Sequence, residues 1–217
     1  GWRLPETLRH RTKEPFSLAA IFKAFAGLLT HGGFRVHLAV VTLTYSGLFA
    51  FISGSSFVLQ DIYGLSPTVY GIAFGACAGA YVVGTIGGQR ISARGSSAVI
   101  TAGTLLLAAG GTVMLACVLA GVESPLSVVL PMMIYMIGVG FALPQTQAAA
   151  LMPFPDQAGT ASSLVGVTQM SIAALVGIGV GASIGSSAVP LAAVVAANGI
   201  AAFLIYRFTR HMREASA

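Results

Sequence analysis

Long apolar stretches separated by short polar turns dominate the chain. An α-helix needs roughly 20 apolar residues to cross about 30 Å of hydrocarbon. Six stretches meet that requirement, over residues 35–57, 69–88, 98–120, 127–149, 160–184 and 189–208. The turns between them contain glycine, proline and serine, which interrupt helices. The pattern therefore predicts an all-α fold, an integral membrane six-helix bundle.

Composition points the same way. Apolar residues make up 56% of the 217 positions, charged residues make up 8%, and the mean hydropathy is +0.87. Soluble domains carry about 25% charged residues, so a soluble core does not account for these values. No basic stripe interleaved with aromatic residues occurs, which argues against a nucleic-acid surface. We expect membrane lipid as a partner and no nucleic acid.

The basic residues are confined to the flanks of the apolar stretches. All 11 Lys and Arg residues fall within segments 3–35, 90–94 and 207–213. With six crossings these segments share one side of the membrane, whereas Asp61 and Glu123 lie on the other side. Because Lys and Arg favour cytoplasmic loops, we expect both ends of this segment in the cytoplasm.

Two cytoplasmic segments flank the predicted bundle. Residues 1–34 form a linker, and residues 209–217 form a tail. Within the linker, apolar side chains recur at helical spacing and predict a short interfacial helix on the membrane surface; a plain helical linker explains them equally well. They are Leu18, Ile21, Phe22, Phe25, Leu28 and Leu29. The chain opens with Gly rather than Met and shows no signal-peptide pattern, so we expect a fragment with an upstream part.

No enzyme signature emerges from the sequence. The four His residues lie in or beside the flanks, and none joins a carboxylate at membrane depth to form a metal site. No phosphate-binding glycine-rich loop ends in Lys-Ser or Lys-Thr. We therefore expect no catalytic activity, no cofactor and no metal. The middles of the stretches also lack ionisable residues, so no coupling site is predicted within them.

The first stretch carries polar and aromatic side chains along one helical stripe. Their offsets of 3, 7, 11 and 14 residues place them on one face. They are Thr42, Tyr45, Phe49, Ser53 and Ser56. Such a stripe suits a substrate-binding cavity, where rings contact an apolar solute and hydroxyls orient it. The alternative is a packing seam whose hydroxyls bond back to their own helix.

Three further residues are candidates for substrate binding. Gln169 lies near the middle of the fifth stretch, where an unsatisfied amide costs a few kcal/mol, so it must face a partner helix or water. Hydrogen bonding between helices is the alternative role for this amide. In the fourth stretch, Tyr135 and Thr146 are almost in phase on one helical face. Gln145 and Gln147 point elsewhere and rank lower.

The second stretch contains a repeat of small residues. Gly71, Gly75 and Gly79 recur at intervals of four, which lets another helix approach closely along that face. The repeat therefore predicts a helix-packing surface and not a binding motif. Faces of this kind also suit helices that rock during transport, although static bundles contain them too.

Several sequence blocks match a known family in order along the chain. The blocks are LPETL at 4–8, FISGSSFVLQ at 51–60, YGLSP at 63–67, GFALP at 140–144, PFP at 153–155 and AGTASSLVG at 158–166, with Gln169-Met170 after them. Together they resemble the major facilitator superfamily, and within it the Bcr/CflA type of multidrug exporter. The resemblance implies helices seven to twelve of a twelve-helix transporter, with the missing N-terminal six-helix half as partner.

Residues 87–95 resemble the basic loop that this superfamily carries between paired helices. The resemblance implies a cytoplasmic gate loop containing Gln89, Arg90, Arg94 and Gly95. Gln89 replaces the Asp or Asn that is more usual there. Control of topology alone is the alternative role for both arginines.

The resemblance also implies a function. Exporters of this type drive drugs or other small apolar or cationic solutes out of a bacterial cell by alternating access, in exchange for protons. Their location is the plasma (inner) membrane, as multi-pass proteins, and the protonatable carboxylate lies in the half that is absent here. Two alternatives stay open: export of a small metabolite on the same scaffold, and a non-transporting membrane scaffold subunit.

Overall fold

The computed structural model describes residues 17–92, 95–185 and 187–214. Its α-helices are α1 Leu18–Thr30, α2 Gly32–Ser56, α3 Pro67–Ile91, α4 Ser96–Leu119, α5 Leu126–Leu151, α6 Ala158–Ser183, α7 Val189–Phe208 and α8 Arg210–Glu214. A π-helical segment, Phe57–Ile62, continues α2, and a short 3-10 turn, Pro155–Gln157, precedes α6. Six of these helices are long and apolar enough to span a membrane. The predicted all-α six-helix membrane fold is therefore confirmed.

Local sequence determines where these helices begin. The side chain of Ser66 accepts a hydrogen bond from the backbone N–H of Val69 at 3.4 Å, and Pro67 occupies the first turn of α3. Both features are favoured at helix N-termini. Gly95 precedes α4 with a φ of 99°, which side-chain-bearing residues rarely adopt. Turn residues therefore separate the spans as the sequence indicates.

Helices α2 and α5 form the centre of the bundle. Helix α2 packs against α5, α6 and α7, and α5 packs against α3 and α4. Helices α4 and α7 also pack extensively on one another. Helices α3 and α6 lie at two edges, because α3 contacts chiefly α5 and α6 contacts chiefly α2. Accordingly, 56% and 61% of the most apolar windows of α2 and α5 are buried, against 17% in α3.

Glycines allow the backbones of the inner helices to approach closely. On α3, a Cβ added at Gly84 would lie 2.8 Å from the Cα of Ile137 on α5. On α4, a Cβ added at Gly103 would lie 2.7 Å from the backbone N of Ala142, also on α5. Such contacts increase van der Waals packing, which drives helix association in lipid.

The described basic residues are confined to one end of the bundle. We call the end at which α2, α4 and α6 begin and α3, α5 and α7 end the basic end. The described Lys and Arg residues all lie there; they are Lys23, Arg35, Arg90, Arg207, Arg210 and Arg213. Asp61 and Glu123 lie at the opposite end. The cytoplasmic location of the basic end stays a prediction, based on the positive-inside bias.

Helix α1 joins the bundle at the basic end. It packs against α6 and α2, and a single residue, His31, separates it from α2. Leu28 is buried, whereas Leu18 and Phe22 are exposed by 62% and 69%. A helix is therefore present in the predicted region, and its interfacial position stays a prediction. Residues 1–16 of the predicted linker lie outside the described residues.

Candidate functional site

Three residues of the predicted stripe form one surface on α2. The rings of Tyr45 and Phe49 stack with their centroids 6.0 Å apart and an interplanar angle of 24°. Both rings are half-buried, and Ser53, one turn further on, is exposed. On α6, a Cβ added at Gly177 would lie 2.8 Å from Ser53 Oγ and 3.4 Å from Phe49 Cδ1. The glycine therefore lets α6 lie close beside this surface.

Thr42 lies at the buried start of the same stripe. It is only 4% exposed, and its Oγ1 has no hydrogen-bond partner among the described residues. Ser46, one turn further, is also buried without a partner in the described chain. Thr44, by contrast, donates to the carbonyl oxygen of Val40 at 2.7 Å. The hydroxyl of Thr44 therefore hydrogen-bonds back to its own helix. The hydroxyls of Thr42 and Ser46 make no such bond in the described chain.

Gln169 forms a polar link between α6 and α5. It is 6% exposed, and its Oε1 accepts a hydrogen bond from Nε2 of Gln147 at 3.4 Å. The expectation from helical phase that Gln147 points away from the other candidates is wrong, because its amide contacts Gln169. Helical phase gives the direction of a side chain but not its reach. The long Gln147 side chain reaches α6. An amide has several hydrogen-bonding positions, but Gln169 is buried in this conformation.

Tyr135 and Thr146 lie inside the bundle, and their role in substrate binding stays a prediction. Both are fully buried, and neither hydroxyl has a hydrogen-bond partner among the described residues. A Cβ added at Gly47 of α2 would lie 2.8 Å from Cζ of Tyr135. Their common phase places them on the face of α5 that meets other helices. In this conformation neither hydroxyl is accessible to a solute.

The comparisons with known proteins agree with this architecture. No protein-family model matches the chain. Over 214 residues the chain is 31% identical to the uncharacterized MFS-type transporter YdgK of Bacillus subtilis (strain 168). The printed name of this relative places it among the transporters of the major facilitator type. The alignment covers 94% of this chain and 50% of that protein, so the chain spans about half the length of the curated relative it matches.

The relative is named as a transporter of the major facilitator type, and this chain resembles about half of it over six apolar helices that are long enough to span a membrane. A six-helix bundle is the size of one half of a twelve-helix major facilitator protein.

The predicted gate loop of this superfamily is only partly described. Helix α3 continues to Ile91, so Gln89 and Arg90 lie in its last turn and not in the loop. Both side chains are exposed. Gly95 forms the N-cap of α4, and Arg94 lies outside the described residues. The gating role of these four residues stays a prediction.

The glycine repeat of α3 has no partner within the described chain. No described atom outside the local helix lies within 4 Å of a Cβ added at Gly71, Gly75 or Gly79. No helix of the described chain packs there, and the helix-packing role of this face stays a prediction. The close contact of α3 with α5 uses Gly84 and Gly88 instead.

The surface formed by Tyr45, Phe49 and Ser53, which we call the open surface, offers two aromatic rings and two hydroxyl groups. In the described part of the chain, no group of three or more His, Cys, Asp or Glu residues is placed to hold a metal ion. Asp, Glu, Lys and Arg lie only at the ends of the described spans. Such a surface is suited to reversible binding of an apolar or cationic solute, because aromatic faces attract cations.

Proposed function

We propose that this chain is the C-terminal half of a secondary transporter of the Bcr/CflA type. In this proposal the complete protein exports drugs or other small apolar or cationic solutes in exchange for protons. The observation that carries the proposal is the open surface formed by Tyr45, Phe49 and Ser53 beside α6. It lies in a six-helix chain that matches half of a major facilitator transporter.

The edges of the bundle support a second six-helix half as partner. Helix α3 exposes the face of Gly71, Gly75 and Gly79, and α6 exposes Gly181, without a described atom close to any of them. Lipid covers apolar side chains as well as protein does, but bare glycine faces gain more from a closely packed helix. We therefore assign these two edges to the seam between the halves.

The chemistry of the surface favours an apolar cation over a charged metabolite. Tyr45 and Phe49 present aromatic faces, and a cation gains about 0.5–2 kcal/mol over such a face. Described carboxylate and basic groups are confined to the helix ends, so none pairs with an ionic metabolite at that depth. Proton coupling then requires a protonatable group in the other half.

Two substitutions in the full-length gene product test the site. Phe49→Ala removes the ring, and Gln169→Ala removes the amide that accepts from Gln147. We expect efflux of ethidium, a fluorescent apolar cation, to fall about 3- to 10-fold in Phe49→Ala, because an aromatic contact contributes about 0.5–1.5 kcal/mol beyond its area. Efflux is measured in cells with an imposed pH gradient across the membrane.

Matched controls separate a site from a general loss of fold. Phe208→Ala and Gln157→Ala make the same chemical changes at exposed positions of the basic end, and we expect unchanged efflux. If efflux of every cation and antibiotic tried is unchanged in Phe49→Ala and Gln169→Ala, the pocket role is wrong. If an amino acid or sugar competes with ethidium and its transport falls in the same variants, the metabolite alternative replaces the drug assignment.

A further inference from the structure

The larger of the two described cavities lies at the basic end of the bundle. Its volume is about 960 Å³, and its walls come from the ends of α2, α4, α5, α7 and α8. None of the residues of the proposed solute surface lines it. Of the described residues that do, three are Arg, two are His and none is Asp or Glu. We call this cavity the basic pocket.

Arg213 is held in one orientation at the edge of the basic pocket. Its guanidinium carbon lies 3.6 Å from the centroid of the Tyr206 ring. Its Nη2 donates to the backbone carbonyl oxygen of Tyr206 at 2.7 Å. The Nε atom is buried and has no hydrogen-bond partner among the described residues. Since a guanidinium carries five donors in one fixed plane, this anchoring also fixes the directions of its other donors.

Two further polar groups of the basic pocket have a donor available. The hydroxyl of Tyr206 lies 3.2 Å from Ser97 Oγ and donates to it, which leaves the Ser97 proton for another acceptor. His31 Nδ1 accepts the backbone N–H of Phe34 at 3.2 Å, so the ring proton resides on Nε2. Both residues line the pocket. Its walls thus combine positive charge with hydrogen-bond donors.

The backbone adds to the positive potential of the basic pocket. Helices α2 and α4 both begin at this cavity, at Gly32 and Ser96. The N-terminus of a helix carries about half a positive elementary charge and favours anions. Arg207, Arg210 and Arg213 also lie close together in sequence and line the same cavity. The guanidinium groups of Arg207 and Arg213 favour an anion in this cavity.

We propose that the basic pocket binds a phosphate-type oxyanion. The source is either the headgroup of an anionic phospholipid or a soluble phosphate ester. Arg groups match phosphate oxygens in bidentate geometry. Ile100 and Met152 add an apolar wall beside the arginines, at the level where spans end and lipid headgroups lie. This proposal does not depend on transport by the solute surface.

The test measures binding to the purified full-length gene product in a neutral detergent. One arm titrates short-chain phosphatidylglycerol against phosphatidylcholine of equal chain length, and the other titrates inorganic phosphate against chloride at equal ionic strength. The variants are Arg207→Gln and Arg213→Gln, and the matched control is Arg90→Gln, at the same end but outside the pocket. Arg207 is exposed, so its variant remains informative if Arg213→Gln fails to fold.

We expect saturable binding that each pocket variant weakens about 10-fold, because a charge-assisted hydrogen bond is lost. The control changes binding less than about 2-fold. Saturation by phosphatidylglycerol alone identifies a lipid headgroup, and saturation by inorganic phosphate identifies a soluble oxyanion. If neither probe saturates, or if Arg90→Gln weakens binding as much as Arg207→Gln does, the proposal is wrong.

Discussion

The two glycine series of α3 differ in what lies opposite them. Gly84 faces α5 so closely that an added Cβ would lie 2.8 Å from the Cα of Ile137. Gly71, Gly75 and Gly79, on the same helix, have no described neighbouring atom within 4 Å of their added Cβ positions. A small-residue repeat therefore shows that a face permits close approach. It does not show which face is used within the chain.

Whole helices also differ in how much of their apolar surface is packed against the rest of the chain. The most apolar windows of α2 and α3 have nearly equal mean hydropathy, 1.7 and 1.6, yet 56% of the first window is buried and 17% of the second. In water such a difference in burial would require a difference in composition. In a bilayer it does not, because lipid tails are as apolar as leucine and impose no preference for protein contact.

The largest expected effect comes from filling the packed glycine. Gly84→Leu forces a side chain against the backbone of Ile137, and overpacking of this kind costs about 3 kcal/mol. We expect a marked drop in the thermal unfolding temperature of the full-length gene product in detergent. An unfolding temperature equal to that of the unmodified protein would show that α3 and α5 lie further apart than this close contact at Gly84 requires.

A second packed glycine tests the central contact between α2 and α5. Gly47→Ala places a methyl group 2.8 Å from Cζ of Tyr135, and we expect a loss of about 2 kcal/mol in the free energy of unfolding. Tyr135→Phe removes a buried hydroxyl without a described partner and should be neutral or stabilising by about 1 kcal/mol.

The double variant refines this test. In Gly47→Ala with Tyr135→Phe, the ring has more room to move, so the two changes should cost less together than the sum of the single changes, by about 1 kcal/mol. Thermal unfolding of the two single variants and the double variant in the same detergent measures these free-energy changes. Strong destabilisation by Tyr135→Phe alone would reveal a hydrogen-bond partner for that hydroxyl in the assembled protein.

The smallest expected effect on stability comes from the open face of α3. Gly75→Leu meets no described atom, so we expect the free energy of unfolding to change by about 0.5 kcal/mol or less. Ethidium efflux should nevertheless fall, because the leucine side chain obstructs the proposed seam between the two halves. Destabilisation as large as that of Gly84→Leu would instead show that this face is already tightly covered.

The candidate site shows where helical phase was informative and where it failed. Phase correctly grouped Tyr45 with Phe49, because a periodicity of 3.6 residues decides which side chains share a face. It also grouped Tyr135 with Thr146, but that face meets other helices and not a cavity. Helical phase did not predict the hydrogen bond between Gln147 and Gln169, because that bond depends on the distance between two helices.

The amino-acid sequence by itself determined the number of spans, the turns between them and the end that collects the basic residues. These are local properties, since about 20 apolar residues suffice for a span and charges stay where water is. Only the tertiary structure decided which glycines are packed, which hydroxyls are buried and which helix ends enclose the basic pocket. The reason is that the apolar surroundings of a bilayer do not distinguish a lipid-facing side chain from a helix-facing one, so contact geometry decides.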